Sequence, residues 1–170
     1  MQPAVETVWT WLSEIPDPEI PVISLTDLGI IRDVEWQEDT LVVTVTPTYS
    51  GCPATTVIGL EIENALRDHG VQRFRLDRRL SPPWTTDWIS AEGREKLRGF
   101  GIAPPIDGTA ADGKTAALAG RLLTGGNLVV ECPRCGSTET EKVSQFGSTP
   151  CKASYRCKSC LEPFDYFKCI

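Results

Sequence analysis

Apolar residues recur along the first hundred positions with a period that changes from segment to segment. Val5, Val8, Trp9 and Leu12 stand at i, i+3, i+4 and i+7, the spacing of one helix face, and Pro16-Asp17-Pro18 ends the run. Residues 30–36 and 41–46 are rich in β-branched side chains, and the polar Gln37, Glu38 and Asp39 between them predict a hairpin turn. A second helix is predicted over residues 54–69, with Ile58, Ile62, Ala65 and Leu66 on one face and Gly70 as its stop. A strand follows over residues 71–77. Strand, helix and strand in this order fit a right-handed crossover, so the expected fold class is α+β, beginning with a small two-layer α/β domain. A last helix is predicted over residues 90–100, with Ser90 as N-cap and Glu92 favourable in the first turn. Pro104-Pro105 then closes a domain of residues 1–106.

The pattern stops there. Residues 107–127 hold ten Gly or Ala and no aromatic side chain, which predicts a linker with a short helix around residues 116–123. All five tryptophans precede residue 89, whereas six of the seven cysteines follow residue 131, so the final segment, residues 128–170, is built on different principles.

Composition narrows the chemistry. At 170 residues, with 41% hydrophobic and 24% charged, the chain has the makeup of a folded globular protein. Seven cysteines stand against one histidine, which excludes most histidine-based metal sites and catalytic pairs. The net charge of -6 argues against broad binding to nucleic acid or anionic membranes, although it leaves room for a local basic patch. No apolar run approaches the length of a membrane span, and the first residues carry neither a basic nor an apolar signal region, so a cytoplasmic location is expected. In that reducing compartment clustered cysteines serve as metal ligands or reactive thiols rather than as disulfides.

Cys132-Pro133-Arg134-Cys135 and Cys157-Lys158-Ser159-Cys160 form two CxxC knuckles separated by 21 residues. Each knuckle presents two thiolates to one cation, and the four together suit tetrahedral zinc, predicting a zinc ribbon. Iron in a four-thiolate site has the same spacing requirement, and a redox dithiol is disfavoured because no long helix follows either knuckle. A segment this short lacks a sufficient core of its own, so the metal is expected to be structural. Cys151 and Cys169 have no CxxC partner and are read as packed or free thiols.

Cys52, in Thr48-Tyr49-Ser50-Gly51-Cys52-Pro53, falls where a strand ends and a helix begins. As N-cap residue, with Pro53 in the first helical position, its thiol would face unpaired N–H groups and the positive end of the helix dipole. The bland alternative is a small buried hydrophobe. Asp17 and Glu19 form a carboxylate pair whose simplest reading is helix termination. His69, 17 residues beyond Cys52, would sit about 25 Å away along the helix and is better suited to capping its C-terminus than to serving as a base.

The run from Asp17-Pro18-Glu19 through Leu28-Gly29, followed by Thr48 and Gly51-Cys52-Pro53, resembles the MIP-type cytosolic iron–sulfur assembly proteins and the bacterial SufT proteins over about residues 3–105. That resemblance implies an iron–sulfur assembly-type domain in which Cys52 is the reactive group, assisted by Asp17, Glu19 and Thr48. Where the family often carries Thr or Ser after the position of Thr48, this chain has Tyr49. The whole chain, with its Ser148-Thr149-Pro150-Cys151-Lys152 loop and its aromatic, cysteine-bearing ending over residues 164–169, resembles the PaaD-type accessory proteins of phenylacetate degradation. What this implies is an accessory role in the phenylacetyl-CoA epoxidase system; direct catalysis by Cys52 as a nucleophile or redox thiol is the alternative that the distant His69 disfavours. Its partners would be the iron–sulfur reductase or the di-iron oxygenase of that system, and its cofactors a structural zinc and transient iron or an iron–sulfur cluster. A homodimer is compatible with the sequence. The competing expectation is a zinc-ribbon adaptor for protein or nucleic acid, for which a ribbon charge near +1 gives little phosphate attraction.

Overall fold

The structure, a computed structural model, describes residues 2–49, 51–106 and 129–168. Two compact units are present: Met1–Trp84 with Trp88–Ser90, and Thr85–Asp87 with Ala91–Ile170.

In the first unit, helix α1 (Val5–Ser13) buries Val8 and Leu12, as its apolar spacing requires. Strands β1 (Ile31–Gln37) and β2 (Thr40–Val45) form the expected antiparallel hairpin, turning through Glu38 at φ 53°. A register shift between Ile31 and Asp33 bulges β1, so Ile31 and Val34 are both buried although three positions apart. Helix α2 (Thr55–Asp68) buries Ile58, Ile62 and Leu66, and Gly70 follows it at φ 81°. Strand β3 (Phe74–Arg78) pairs in parallel with β2, giving sheet order β1-β2-β3. β2 is central and buried on both faces, with no exposed position from Leu41 to Val45. The expected two-layer architecture is therefore present.

Residues 14–30 are irregular yet supply much of the core: Ile20, Ile23, Leu25, Leu28 and Ile30 are each at most 2% exposed. The indole of Trp84 donates to the Leu28 carbonyl at 2.8 Å, and Ser90 Oγ donates to Asp27 Oδ1 at 2.8 Å. Gly29 turns at φ 69° with its Cα against Trp88, leaving no space for a side chain.

The second unit departs from the expected boundary at residue 106. Helix α3 (Ala91–Phe100) leads through Gly101 into a two-residue strand, β4 (Ile102–Ala103), which joins a sheet with β5 (Thr140–Ser144), β6 (Lys152–Cys157) and β7 (Pro163–Phe167) in order β4-β7-β6-β5. β4 pairs in parallel with β7, and Ala103 enters the same buried cluster as Val130, Cys132, Tyr155, Cys157, Phe164 and Tyr166. A ribbon of this size is short of apolar surface, and burying Ile102 and Ala103 supplies some. The prolines after β4 end that strand rather than the domain. The expected linker, residues 107–127, and the short helix within it lie outside the described residues, as does Cys169.

A Cβ at residue 29 would lie 2.7 Å from the Trp88 carbonyl oxygen and 2.8 Å from its Cβ. Gly29→Ala is expected to destabilise the first unit by about 2 kcal/mol or more, read as a lower urea midpoint in equilibrium unfolding.

Candidate functional site

The two knuckles are built alike. The Cys132 N–H donates to Ser137 O at 2.9 Å and the Cys157 N–H to Glu162 O at 3.0 Å, so each turn closes over five residues. Each also ends on a left-handed residue, Gly136 at φ 73° and Leu161 at φ 65°. This repetition brings Cys132, Cys135, Cys157 and Cys160 together, their sulfurs all within 4.8 Å of one another. Cys132 and Cys160 sulfurs are 3.8 Å apart, and those of Cys135 and Cys157 are 3.6 Å apart. Four ligands at a Zn–S distance of about 2.3 Å have tetrahedral edges of about 3.8 Å, so the residues present fit zinc. Ser137 Oγ meets Ser159 Oγ at 2.8 Å and ties one knuckle to the other.

Protonation follows from that crowding. The Cys160 backbone N–H, 3.5 Å from the Cys157 sulfur, is foremost in drawing the Cys157 thiol down to about 6. At Cys160 the backbone at Glu162 favours thiolate, but burial and the neighbouring thiols of Cys135, Cys157 and Cys132 outweigh it and push the group up to about 12. Cys135 is likewise raised: backbone hydrogen bonding at Ser137 opposes the rise, and Cys157 with burial overcomes it. Without a cation Cys135 and Cys160 resist ionisation. Zinc supplies the charge that lets them ionise, at the cost of displacing their protons.

Cys151 stays apart from this group, buried at 7% exposure with its sulfur 3.0 Å from Thr149 Oγ1, as expected of a packed thiol.

The other predicted residues lie in the first unit. Ile31 opposite Val45 sets the start of β1 beside the end of β2, so the 14–30 loop and the 48–52 loop leave the same end of the sheet. Asp17 comes from the first loop and is 6% exposed; its Oδ1 accepts the N–H groups of Glu19 at 2.9 Å and Ile20 at 2.8 Å. This carboxylate shapes the turn that carries Glu19, which accounts for an acid between two prolines. Glu19, Thr48 and Cys52 are half-buried. Cys52 is not the N-cap: Ala54 is, and α2 begins at Thr55. The Thr55 N–H and hydroxyl both donate to Cys52 O, at 3.2 and 2.8 Å, and this local turn holds residues 52–54 outside the helix. His69 caps the opposite end of α2 and stacks on Trp11 with ring centroids 4.1 Å apart.

Fold and sulfur geometry thus define a protein that joins an α/β assembly-type domain to a four-cysteine ribbon. Residues 5–71 match the family described as iron-sulfur cluster assembly protein, and residues 119–168 match the PaaD zinc beta ribbon domain. Over 168 residues the chain is 48% identical to an Escherichia coli protein named as a candidate component of 1,2-phenylacetyl-CoA epoxidase, covering 99% of this chain and 94% of that one. The chain belongs to this family. It is also 36% identical over 87 residues to the Fe-S protein maturation auxiliary factor YitW of Bacillus subtilis, covering 50% of this chain and 84% of that one. Among solved structures, a DUF59 domain of unknown function from Bacillus anthracis superposes with a TM-score of 0.51 at 25% identity, covering 55% of this chain and 90% of that one.

The purified protein is expected to hold one zinc per chain by elemental analysis. Cys157→Ser should lose the metal and the folded ribbon together, seen as collapse of the dispersion of amide resonances from β5, β6 and β7. Zinc retention should fall on acidification, as protons return to Cys135 and Cys160.

Proposed function

We propose that this protein is a cytoplasmic accessory factor of a phenylacetyl-CoA epoxidase system that matures a metal centre, with Cys52 as the iron-handling thiol. One observation carries the reading: similarity to the E. coli epoxidase component runs through both halves of the chain in the same order, not through either domain alone. The name of the B. subtilis relative supports the maturation role of the first half.

In this reading the cargo is iron or an iron–sulfur cluster, bound transiently by the Cys52 thiolate as the first half of a transfer to the client. The position of Cys52 supports that use. It is half-buried on a turn between the end of β2 and the start of α2, accessible from outside yet held by the Thr55 hydrogen bonds to its own carbonyl. Asp17 keeps its own turn in shape through the Glu19 and Ile20 amides, and in this reading Glu19 and Thr48 supply oxygen ligands. The client is the reductase, whose cluster must be assembled, or the oxygenase, whose di-iron site must be loaded. The zinc ribbon gives the second half its shape and carries no chemistry of transfer.

A nucleophilic enzyme is the weaker reading. The single histidine lies at the far end of α2, which at 14 residues is roughly 21 Å long, so no imidazole reaches the Cys52 thiol from that helix. A cysteine that binds and releases a soft metal needs no general base.

Cys52→Ser is expected to leave zinc content and thermal stability unchanged while lowering epoxidase activity in cells at least tenfold, with metal missing from the client. Full epoxidase activity with fully loaded centres in this variant would falsify the assignment and leave the ribbon as an adaptor.

A further inference from the structure

We propose that the free edge of β3 is a docking strand for an acidic, extended segment of the client protein. The identity of the client rests on the maturation reading above; the surface itself rests on charge and strand geometry. Residues 1–106 carry 16 acidic and 9 basic side chains, yet Arg73, Arg75, Arg78 and Arg79 fall within seven positions on and beside β3. In a domain that is otherwise negative this is a concentrated positive stripe.

Its backbone is available. β3 is an edge strand among the described residues. The Arg73 carbonyl accepts the Leu41 N–H at 3.0 Å and the Arg79 N–H donates to Val45 O at 2.9 Å, so both residues turn their main chain toward β2. Main-chain groups alternate sides along a strand, so those of Phe74, Leu76 and Arg78 face the open edge. These are the donors and acceptors that an added strand would use.

The side chains supply the selectivity. A Cβ placed on Gly59 of α2 would lie 3.9 Å from the Leu76 side chain, and Arg67 of α2 lies 5.3 Å from the centre of the Phe74 ring. Phe74, Leu76 and Arg78 therefore share the helix side of the sheet, and Arg75 and Arg79 the other. Arg75 is engaged by Asp77 at 2.8 Å, and Arg73 lies 3.8 Å from Asp39. Arg78 and Arg79 close no ion pair within 4 Å or side-chain hydrogen bond among the described residues, although Arg79 acts electrostatically on Asp77, and both are exposed. Arg78 lies opposite Val45, at the end of the sheet from which the 48–52 loop leaves. Charge of either sign would discourage unwanted strand pairing; an excess of positive charge, four arginines against Asp77 alone over residues 73–79, suits an incoming strand that carries carboxylates. A client segment bound there would reach the end of the sheet from which the chain runs on to Cys52.

Titration of the full-length protein into a fluorescein-labelled (Glu-Val)5 peptide tests this directly. Expected are saturable binding that weakens with added NaCl, no binding of (Lys-Val)5, and slowed amide exchange at Phe74, Leu76 and Arg78. Arg78→Glu with Arg79→Glu should weaken binding about tenfold or more, with unchanged far-UV circular dichroism. If that double variant misfolds, Arg78→Gln with Arg79→Gln makes the same comparison. Absent binding, equal binding of both peptides, binding unaffected by the substitutions, or preferential binding of a duplex DNA of equal charge would each overturn the proposal. So would concentration-dependent self-association that the double variant abolishes, since the occupant would then be the Asp33- and Glu35-bearing edge of a second copy. Cys52→Ser should bind the peptide as wild type does. If that variant binds peptide and still sustains full epoxidase maturation, the function of Cys52 fails and the docking strand stands; if peptide binding is absent while Cys52→Ser abolishes maturation, the docking strand alone fails.

Discussion

Four sulfurs within 4.8 Å of one another repel as thiolates and offer little as thiols, so a cation is what makes their convergence favourable. The second unit is organised by that requirement. Two knuckles with matching hydrogen bonds and matching left-handed exits place the sulfurs, and β5, β6 and β7 extend from them. Cys132 and Cys157 also belong to the buried cluster, touching both metal chemistry and packing. Apolar burial in so small a sheet is modest, and a structural zinc contributes on the order of 10 kcal/mol. The metal is to this unit what the interior of a larger domain is to its sheets.

The first unit is governed by strand register instead. Antiparallel pairing of β1 with β2 and parallel pairing of β2 with β3 bring three connections to one end of a sheet: the 14–30 loop, the 48–52 loop and the segment after Arg78. The loop that carries Cys52 thus leaves the sheet at the same end as Arg78 and Arg79. The opposite end holds the β1–β2 turn and the stacked pair of Trp11 and His69. The division of labour between ends follows from topology, with no single residue responsible for it.

Much of this was legible along the chain because the signals are local. Apolar spacing marked α1 and α2 to within a residue or two, and the hairpin and the parallel return of β3 followed from element order. The zinc site was legible because CxxC geometry is encoded within four residues and needs only a second copy. Three features were not. The bulge at Arg32 hid the alternation of β1, since two buried positions there are separated by three. β4 is two residues long and leaves no periodic trace, so its pairing with β7 could not be anticipated. The N-cap of α2 is Ala54 rather than Cys52, whose carbonyl is taken up by the N–H and hydroxyl of Thr55. Asp17 was legible as a helix terminator, but its bonds to two following amides emerge only when the turn is built.

The short strand β4 changes what the intervening Gly/Ala-rich sequence has to do. Ala103 on one side of it and Val130 on the other lie in a single buried cluster, so that sequence joins two parts of one folded body. Ile102 and Ala103 are held by pairing with β7, and Val130 by packing in that cluster. A change of one residue between Gly101 and Pro104 would shift the register of Ile102 against Asp165 and turn Ala103 out of the core. A strand of two residues is thus the most exacting part of its sheet in register.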